Sequence, residues 1–467
     1  MSRVEKSYFK TEVVNGDSLT PISIFQSLEG SKKCLLESSL KHEESGRYSF
    51  IGANPYMEFI GQGNETLIKE TSSGDFDRVN GKPLDQLERL LKEQQVQALS
   101  DMPFAGGAIG YIGYDAIRMY EEIGELPSDQ LEMPDVHLML YDTIVIYDHK
   151  KYEVTITALN PKNKYTMQEL EQKVNSIKKQ LSHYKNVQPG LDELSVLAYV
   201  SNIEQSDYHE AVEVAKSHIR DGDIFQIVLS QRLSAPFEGS PFSFYRKLRL
   251  DNPSPYMFFI EFDNYTVLGA SPESLIKVTG RDVTTNPIAG TRKRGQSKEE
   301  DSNLEKDLLN DEKELAEHRM LVDLGRNDLG KVCEIGTVEL TKYLTIEKYQ
   351  HVMHIVSEVK GVLKSDMSGL EALISTLPAG TVSGAPKIRA MQLINELEKV
   401  KRGVYSGAVG YVGFDGNLDF ALAIRTMVIK DRVAHVQAGA GIVYDSIPAM
   451  EYQETLNKAR SLLEVRS

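Results

Sequence analysis

Thiols are nearly absent from this chain: of 467 residues only Cys34 and Cys333 are cysteines, and no CxxC occurs. A disulfide framework or a structural zinc site is therefore not expected. Basic charge is also in short supply, with 53 Lys and Arg against 68 Asp and Glu and a net charge of −15. That balance argues against nucleic acid as a partner, because a polyphosphate needs a basic face. An anionic small ligand would have to be held by local cations or by a metal. The opening MSRVEKSYFK is polar and no run approaches 18 apolar residues, so neither a secretory leader nor a membrane span is expected. A cytoplasmic protein is the expectation. Three common signatures are missing as well. VQAGAGIVYDS (Val436–Ser446) has no GK[ST] to make a P-loop and no third glycine for a dinucleotide fingerprint. GRYSFIG is not a GxSxG nucleophile elbow.

What is present is an ordinary globular composition, 41% hydrophobic and 26% charged, at a length that suits two or three domains or one large two-lobed unit. Residues 1–160 mix short β-type runs with turns; YSFIGANPYMEFIGQG and LMLYDTIVIYDHKKYEVTITAL read as strands and hairpins. Residues 161–194 read as an exposed helix, KNKYTMQELEQKVNSIKKQLSHYKN, followed by the linker NVQPGLDELS. From residue 195 to 467 long helices alternate with glycine-punctuated strands, as in a catalytic module preceded by a smaller lobe. GAIGYIGYD at Gly107–Asp115 is echoed by GAVGYVGFD at Gly407–Asp415. Glycine-spaced strands of this kind suit a close approach of another backbone or a ligand.

Two Glu-x-x-Glu pairs stand out, Glu314 with Glu317 and Glu451 with Glu454. Residues three apart on a helix share a face, and the first pair falls on the stripe of Leu321 and Leu324, which should point inward. Carboxylates seldom point inward unless paired or bound to metal, so four of them could form a hard cation site. The plain alternative is two solvated helices. NPIAGTRKRG, with Arg292, Lys293 and Arg294, suits an anion or is an exposed basic loop. LPAGTVSGAPKIRAMQLINEL could offer free N–H groups at a helix start, and Gly439 and Gly441 could bring backbone N–H groups to a ligand. Of His351 and His354, either could bind metal.

Taken in order, LLES, GRYSFIG, GGAIGYIGYD, GDIFQIVLSQR, NPSPYMFF, GASPESL, PIAGTRKRG, AEHRMLVDLGRNDLG, HVMH, AGTVSGAPK, SGAVGYVG, DFALAIRT, QAGAGIVYDS and EYQET resemble the chorismate-utilising enzymes over nearly the whole chain, and most closely the large subunits of anthranilate synthases. The resemblance implies an α+β fold of large antiparallel sheets flanked by helices, with the active site in a cleft of the C-terminal module. It implies Mg²⁺ as cofactor, with Glu317 and Glu454 on the ion and Glu314 and Glu451 acting through bound water. Arg425, Lys458 and the backbone at Gly439, Ala440 and Gly441 would hold the substrate carboxylates. Lys458, four residues after Glu454, could equally be an intrahelical partner. Gly290, Thr291, Thr381 and Tyr405 match positions lining the chorismate pocket. Glu273 matches the acid that protonates the departing 4-hydroxyl, which requires a raised pKa. His354 matches the residue tied to the final elimination.

Two absent lysines separate the branches that share this scaffold. The water-using relatives keep a lysine where Gln226 stands, and those with an amine nucleophile keep one where Ala289 stands. Both absences point to external ammonia. Neither cysteine has the setting of a glutaminase nucleophile, so a separate glutamine amidotransferase subunit, hence a hetero-oligomer, is expected. Glu37, Ser38, Pro255, Tyr256 and Met257 match the L-tryptophan feedback site. The alternatives are an aminodeoxychorismate synthase large subunit and a non-catalytic amino-acid-binding relative.

Overall fold

Period-2 burial with apolar residues on both faces calls for sheets covered on two sides, and the strands follow that rule. In Thr143–Asp148, Ile144 and Ile146 join one buried cluster while Val145 and Tyr147 join another. In Val136–Tyr141, Val136, Leu138 and Leu140 face one way, Met139 and Tyr141 the other. The computed structural model describes residues 9–38, 46–94, 96, 102–183, 198–349 and 352–463. Within them two sheets of 12 strands each, every pair antiparallel, form the centre of the molecule.

The first sheet runs from Lys10–Asn15 through Tyr48–Gly52, Cys34–Glu37, Tyr256–Glu261 and Tyr265–Ser271 to Val433–Ile442 and Gln226–Pro236. The second runs from Ile288–Lys293 through Val352–Val362, Ser274–Thr279, Leu418–Leu422, Ala408–Gly413 and Gly107–Ile112 to Phe76–Asn80. Phe50, Phe104, Ile109, Tyr141, Phe258 and Tyr411 fill the space between them. Helices cover the outer faces, giving helix, sheet, sheet and helix layers. Each fully buried Leu, Ile or Phe in these layers contributes about 1.5–3 kcal/mol. This is the expected α+β architecture.

The division near residue 160 is one of sequence texture. Hydrogen bonding continues across it in both sheets, with Met257 opposite Glu37 in one and Gly110 opposite Gly410 in the other. The echoed segments are thus adjacent antiparallel strands. A Cβ on Gly110 would come within 2.1 Å of the His137 carbonyl, and one on Gly410 within 2.1 Å of the Asp419 carbonyl. Each glycine admits its other neighbouring strand.

The helix expected to be exposed spans Met167–Ser182, started by a capping box of Thr166 and Glu169. It is not solvated all round: Leu170, Val174 and Leu181 are buried in the outer layer of the first sheet. The linker Asn186–Ser195 lies outside the described residues. Cys333 follows the last turn of the Glu312–Val332 helix and makes a single bridge to Leu363.

Candidate active site

At one end of the two sheets, Gln226–Pro236 and Val433–Ile442 of the first come against Ile288–Lys293 and Val352–Val362 of the second. The cleft between them has a volume of about 560 Å³, in the range of small-molecule sites.

The Glu312–Val332 helix enters the cleft wall at its first turn, where Asp311 caps it by accepting from the Lys313 and Glu314 amides. Glu314 and Glu317 are half-buried and line the cleft together with Leu321, as the inward stripe required. Burial and the neighbouring Glu317 push the Glu314 carboxyl up, against the pull of Arg292. The Pro448–Leu463 helix brings Glu451, Glu454 and Lys458 to the same cleft, with Lys458 Nζ 3.5 Å from Glu454 Oε1. Arg425 is added from the loop before Thr426–Lys430, in a left-handed backbone conformation (φ 50°) and donating to the Lys458 carbonyl.

Glu273 and His354 are the two groups of the cleft whose surroundings suit acid–base chemistry. Glu273 is 7% exposed and accepts from the Thr381 hydroxyl at 2.9 Å. Burial pushes its carboxyl up to about 8, against the opposing effects of Thr381 and Lys458, so near pH 7 it is a protonated acid. His354 lies opposite Thr291 in the strand ladder, its Nδ1 3.0 Å from the Gly290 carbonyl and 3.1 Å from Thr291 Oγ1. A carbonyl can only accept, so Nδ1 carries the proton and Nε2 keeps the lone pair. Burial holds the imidazole below its usual pKa, against the Gly290 hydrogen bond. It is a neutral base at pH 7.

The Val433–Ile442 strand contributes backbone. Thr426–Lys430 pairs with it only as far as Val436, which leaves one edge open beyond that point. On the other edge Leu229 lies opposite Ala440, while the Val228 and Ser230 amides turn away, to the Ser383 carbonyl and Glu398. Alternation along an antiparallel ladder then places the N–H and C=O of Gly439 and Gly441 at the open edge. There the Gly439 carbonyl accepts from Lys458 Nζ at 3.1 Å. A side chain is excluded at Gly439, where a Cβ would meet Tyr405 Oη at 2.7 Å and Val228 Cγ1 at 2.9 Å; one on Gly441 would press on the end of the Gln226 side chain, its Nε2 at 2.7 Å. Ala440, expected among the substrate contacts, does not line the cleft. Its peptide faces the ladder and its methyl packs with Ile227, Leu229 and Ile394.

Gly290, Thr291, Thr381, Tyr405, Ala289 and Gln226 all line the cleft. The helix start after Pro386 does not, since Thr381 and Val382 are the members that its loop supplies. Arg292 and Arg294 are tied to Asp307 and Asp311 and to Asp301. His351 lies outside the described residues. Sequence reasoning did not single out Lys313, Gln437 or Met450, which also line the cleft, or Arg402 behind it. Buried Arg402 pairs with Glu398 at 2.5 Å and donates to the Val228 and Val382 carbonyls. The (i, i+4) spacing of Glu398 and Arg402 was the available signal.

The donor set suits a hard cation, being wholly carboxylate. Among the described residues no three acidic, histidine or cysteine side chains are gathered around one point. Mg²⁺ fits that arrangement, because it commonly takes one or two protein carboxylates, keeps waters and completes its shell with a substrate anion.

Glu37, Ser38, Pro255, Tyr256 and Met257 line a second cavity, between the sheets, with Tyr48, Phe50, Tyr411 and Asp419. Glu37 accepts from Tyr245 Oη and from Arg249 Nε, each at 2.7 Å. Ser38 Oγ is buried without a hydrogen-bond partner among the described residues. Both cysteines are buried; burial pushes the Cys34 thiol up to about 12 and raises that of Cys333. Neither is a ready thiolate.

Residues 32–464 match the chorismate binding enzymes. Anthranilate synthase component 1 of Lactococcus lactis subsp. lactis is 47% identical over 462 residues, 98% of this chain and 99% of the relative. That of Acetivibrio thermocellus is 47% identical over 97% of this chain and 94% of the relative. The crystal structure of anthranilate synthase component I from Streptococcus pneumoniae TIGR4 aligns with a TM-score of 0.83 and 44% identity, covering 97% of this chain and 99% of that one. The menaquinone-specific isochorismate synthase from Escherichia coli aligns with a TM-score of 0.73 at 19% identity, over 98% and 95% of the two chains, which is a likeness of fold. A family match across nearly the whole length, with relatives this similar, identifies the chain as a member of the chorismate-binding enzyme family.

Proposed function

We propose that this chain is the ammonia-using component of an anthranilate synthase, converting chorismate and ammonia to anthranilate, pyruvate and water. The observation that carries the reading is an acid and a base held in their working protonation states in one cleft, Glu273 protonated and His354 neutral. Arg425, Lys458 and the open edge at Gly439 and Gly441 bind the two substrate carboxylates. Glu317 and Glu454 would hold Mg²⁺, with Glu314 and Glu451 nearby through water; the ion would neutralise and orient the ring carboxylate. Glu273 gives its proton to the 4-hydroxyl, which leaves as water while ammonia bonds to C2, and the resulting ammonium gives up one proton to solvent. His354 Nε2 then takes the C2 proton as the C3–O bond breaks and the ring becomes aromatic; the enolpyruvate released takes up a proton at its methylene carbon to become pyruvate. Ala289 offers no amine to compete with ammonia, and Gln226 cannot act as a base toward water.

With both thiols buried, glutamine hydrolysis falls to a separate amidotransferase subunit. The cavity at Ser38, Tyr256 and Met257 takes L-tryptophan as inhibitor, with the indole against Tyr256 and Met257 and the polar end at Ser38. The test is the purified chain with chorismate, Mg²⁺ and either ammonium salt or glutamine, followed by fluorescence and product mass. Anthranilate from ammonium but not from glutamine is expected. A non-aromatic aminated product would move the chain to the folate branch, and glutamine-driven anthranilate from the single chain would refute the division of labour.

A further inference from the structure

Behind Glu273 lies a side chamber that the reaction described so far does not use. It shares Glu273, Leu321 and Thr381 with the cleft and continues past Thr285, Asn286 and Gly325 to Asp328. Its volume is about 40 Å³, room for roughly two or three waters. Asp328 is 4% exposed and pairs with Lys387 at 2.5 Å and with Lys331 at 3.3 Å. Lys331 is half-exposed, so the far wall of the chamber reaches solvent through one ion pair.

The chemistry poses a problem at this spot. In the proposed reaction Glu273 loses a proton to the leaving hydroxyl in every turnover and must regain one, yet it is buried and a ring bound in the cleft would stand on its cleft side. We infer that the side chamber is the proton-return path of Glu273, with Asp328 at its far wall, held by Lys387 behind it, as the positioning residue for the water that relays the proton. The inference rests on Glu273 being the acid of the proposed reaction. The exchange balances as acid–base chemistry: the Glu273 carboxylate takes a proton from chamber water, and that water is reprotonated from bulk solvent past Asp328. The charged groups facing this path are Lys458 beside Glu273, and Lys387, Lys331 and Glu121 around the far ion pair. Burial lowers the Lys387 pKa while Asp328 raises it; of the pair, Asp328 is the member that lines the chamber.

Gly325 offers a test that spares the fold. A Cβ there would sit 3.4 Å from Thr285 Cγ2, 3.5 Å from Pro287 Cγ and 3.7 Å from Val359 Cγ2, ordinary contacts within a helix that favours Ala over Gly. Gly325→Ala narrows the chamber without touching substrate. The first turnover of ammonia-dependent anthranilate formation should keep its wild-type rate. Steady-state kcat should then fall several-fold with chorismate KM unchanged, giving a burst of one product per site and a larger solvent deuterium isotope effect on kcat. Asp328→Asn, where it folds, should give the same burst. A Gly325→Ala enzyme that shows neither a burst nor a changed isotope effect overturns the proton path while leaving the proposed function standing. A wild-type chain that makes no anthranilate from ammonium fails the proposed function instead.

Discussion

The acid and the base set the pH behaviour of the site residue by residue. His354, held below its usual pKa by burial, is neutral at pH 7; Glu273 stays protonated until pH approaches about 8. The kcat profile should therefore be a bell, falling at low pH as His354 gains a proton and at high pH as Glu273 loses one. Glu273→Gln should lower kcat by about 10²–10⁴ and remove the alkaline limb, while His354→Asn should remove the acid limb. Steady-state rates from pH 5 to 9 check both. The same shift makes a stability prediction that needs no substrate. Glu273 has a raised pKa in the fold, so its favourable contribution is complete at low pH. It is lost as pH rises from the ordinary value of 4.5 toward 8, where only the unfolded chain ionises. Glu273→Gln should thus gain stability relative to wild type between pH 5 and pH 8, on the order of a few kcal/mol, readable by urea unfolding at the two pH values. A gain that is equal at both pH values would mean that Glu273 is not held protonated. The residue's place in GASPES could be read from the sequence, but its burial could not. Its surroundings are set by distant segments: the Leu422 amide donates to the Glu273 backbone carbonyl at 3.0 Å and the Thr381 hydroxyl to its carboxyl group, both more than a hundred positions away in the chain.

Among elements, those read best from sequence were the ones whose pattern is local. The inward stripe of Glu314, Glu317 and Leu321 follows from helical spacing alone, and the alternating runs near residues 48–62 and 136–158 are strands as expected. Pairing was not legible, because Cys34–Glu37 finds Tyr256–Glu261 and Gly107–Ile112 finds Ala408–Gly413 across hundreds of residues. For the same reason the glycines of Val433–Ile442 could be flagged but Ala440 could not be separated from them. That distinction requires knowing which edge faces Leu229. Gly439→Ala would place a methyl against Tyr405 Oη and Val228 at 2.7 and 2.9 Å inside the cleft. It should raise chorismate KM by at least about tenfold, the loss of about 1.4 kcal/mol of binding, with the protein still folded. Gly110→Ala and Gly410→Ala strike backbone carbonyls at 2.1 Å and should instead cost stability, about 1–3 kcal/mol or more each. Circular dichroism melts beside KM values separate the two classes. A Gly110→Ala protein as stable as wild type would show that Gly107–Ile112 and Val136–Tyr141 can spread.

For the whole molecule, the sheets face each other at two places, and a ligand at one is placed to influence the other. The cleft lies at one end, and the Ser38 cavity lies between Phe50, Met257 and Phe258 of the first sheet and Val409, Tyr411 and Asp419 of the second. A single strand, Leu418–Leu422, connects them: Asp419 and Ala421 line the cavity, and Leu422 bonds the Glu273 backbone. Tyr256 Oη, which donates to Asp419 at 3.1 Å, ties the cavity to that same strand. An amino acid with a large aromatic side chain, seated between the sheets, would fix their separation at the point where Glu273 is held. Because it would bind the folded chain alone, L-tryptophan at a hundred times its Kd should stabilise the protein by about 2.7 kcal/mol, raising the thermal midpoint as ammonia-dependent activity falls. Ser38→Leu should abolish both responses together: it fills the cavity and removes the buried hydroxyl that has no hydrogen-bond partner among the described residues. The measurement is the ratio of activity, and the difference in midpoint, with and without L-tryptophan for each protein. If the variant keeps its thermal shift but loses inhibition, tryptophan binds elsewhere. If it keeps inhibition but loses the shift, the sheets are not what the ligand holds together.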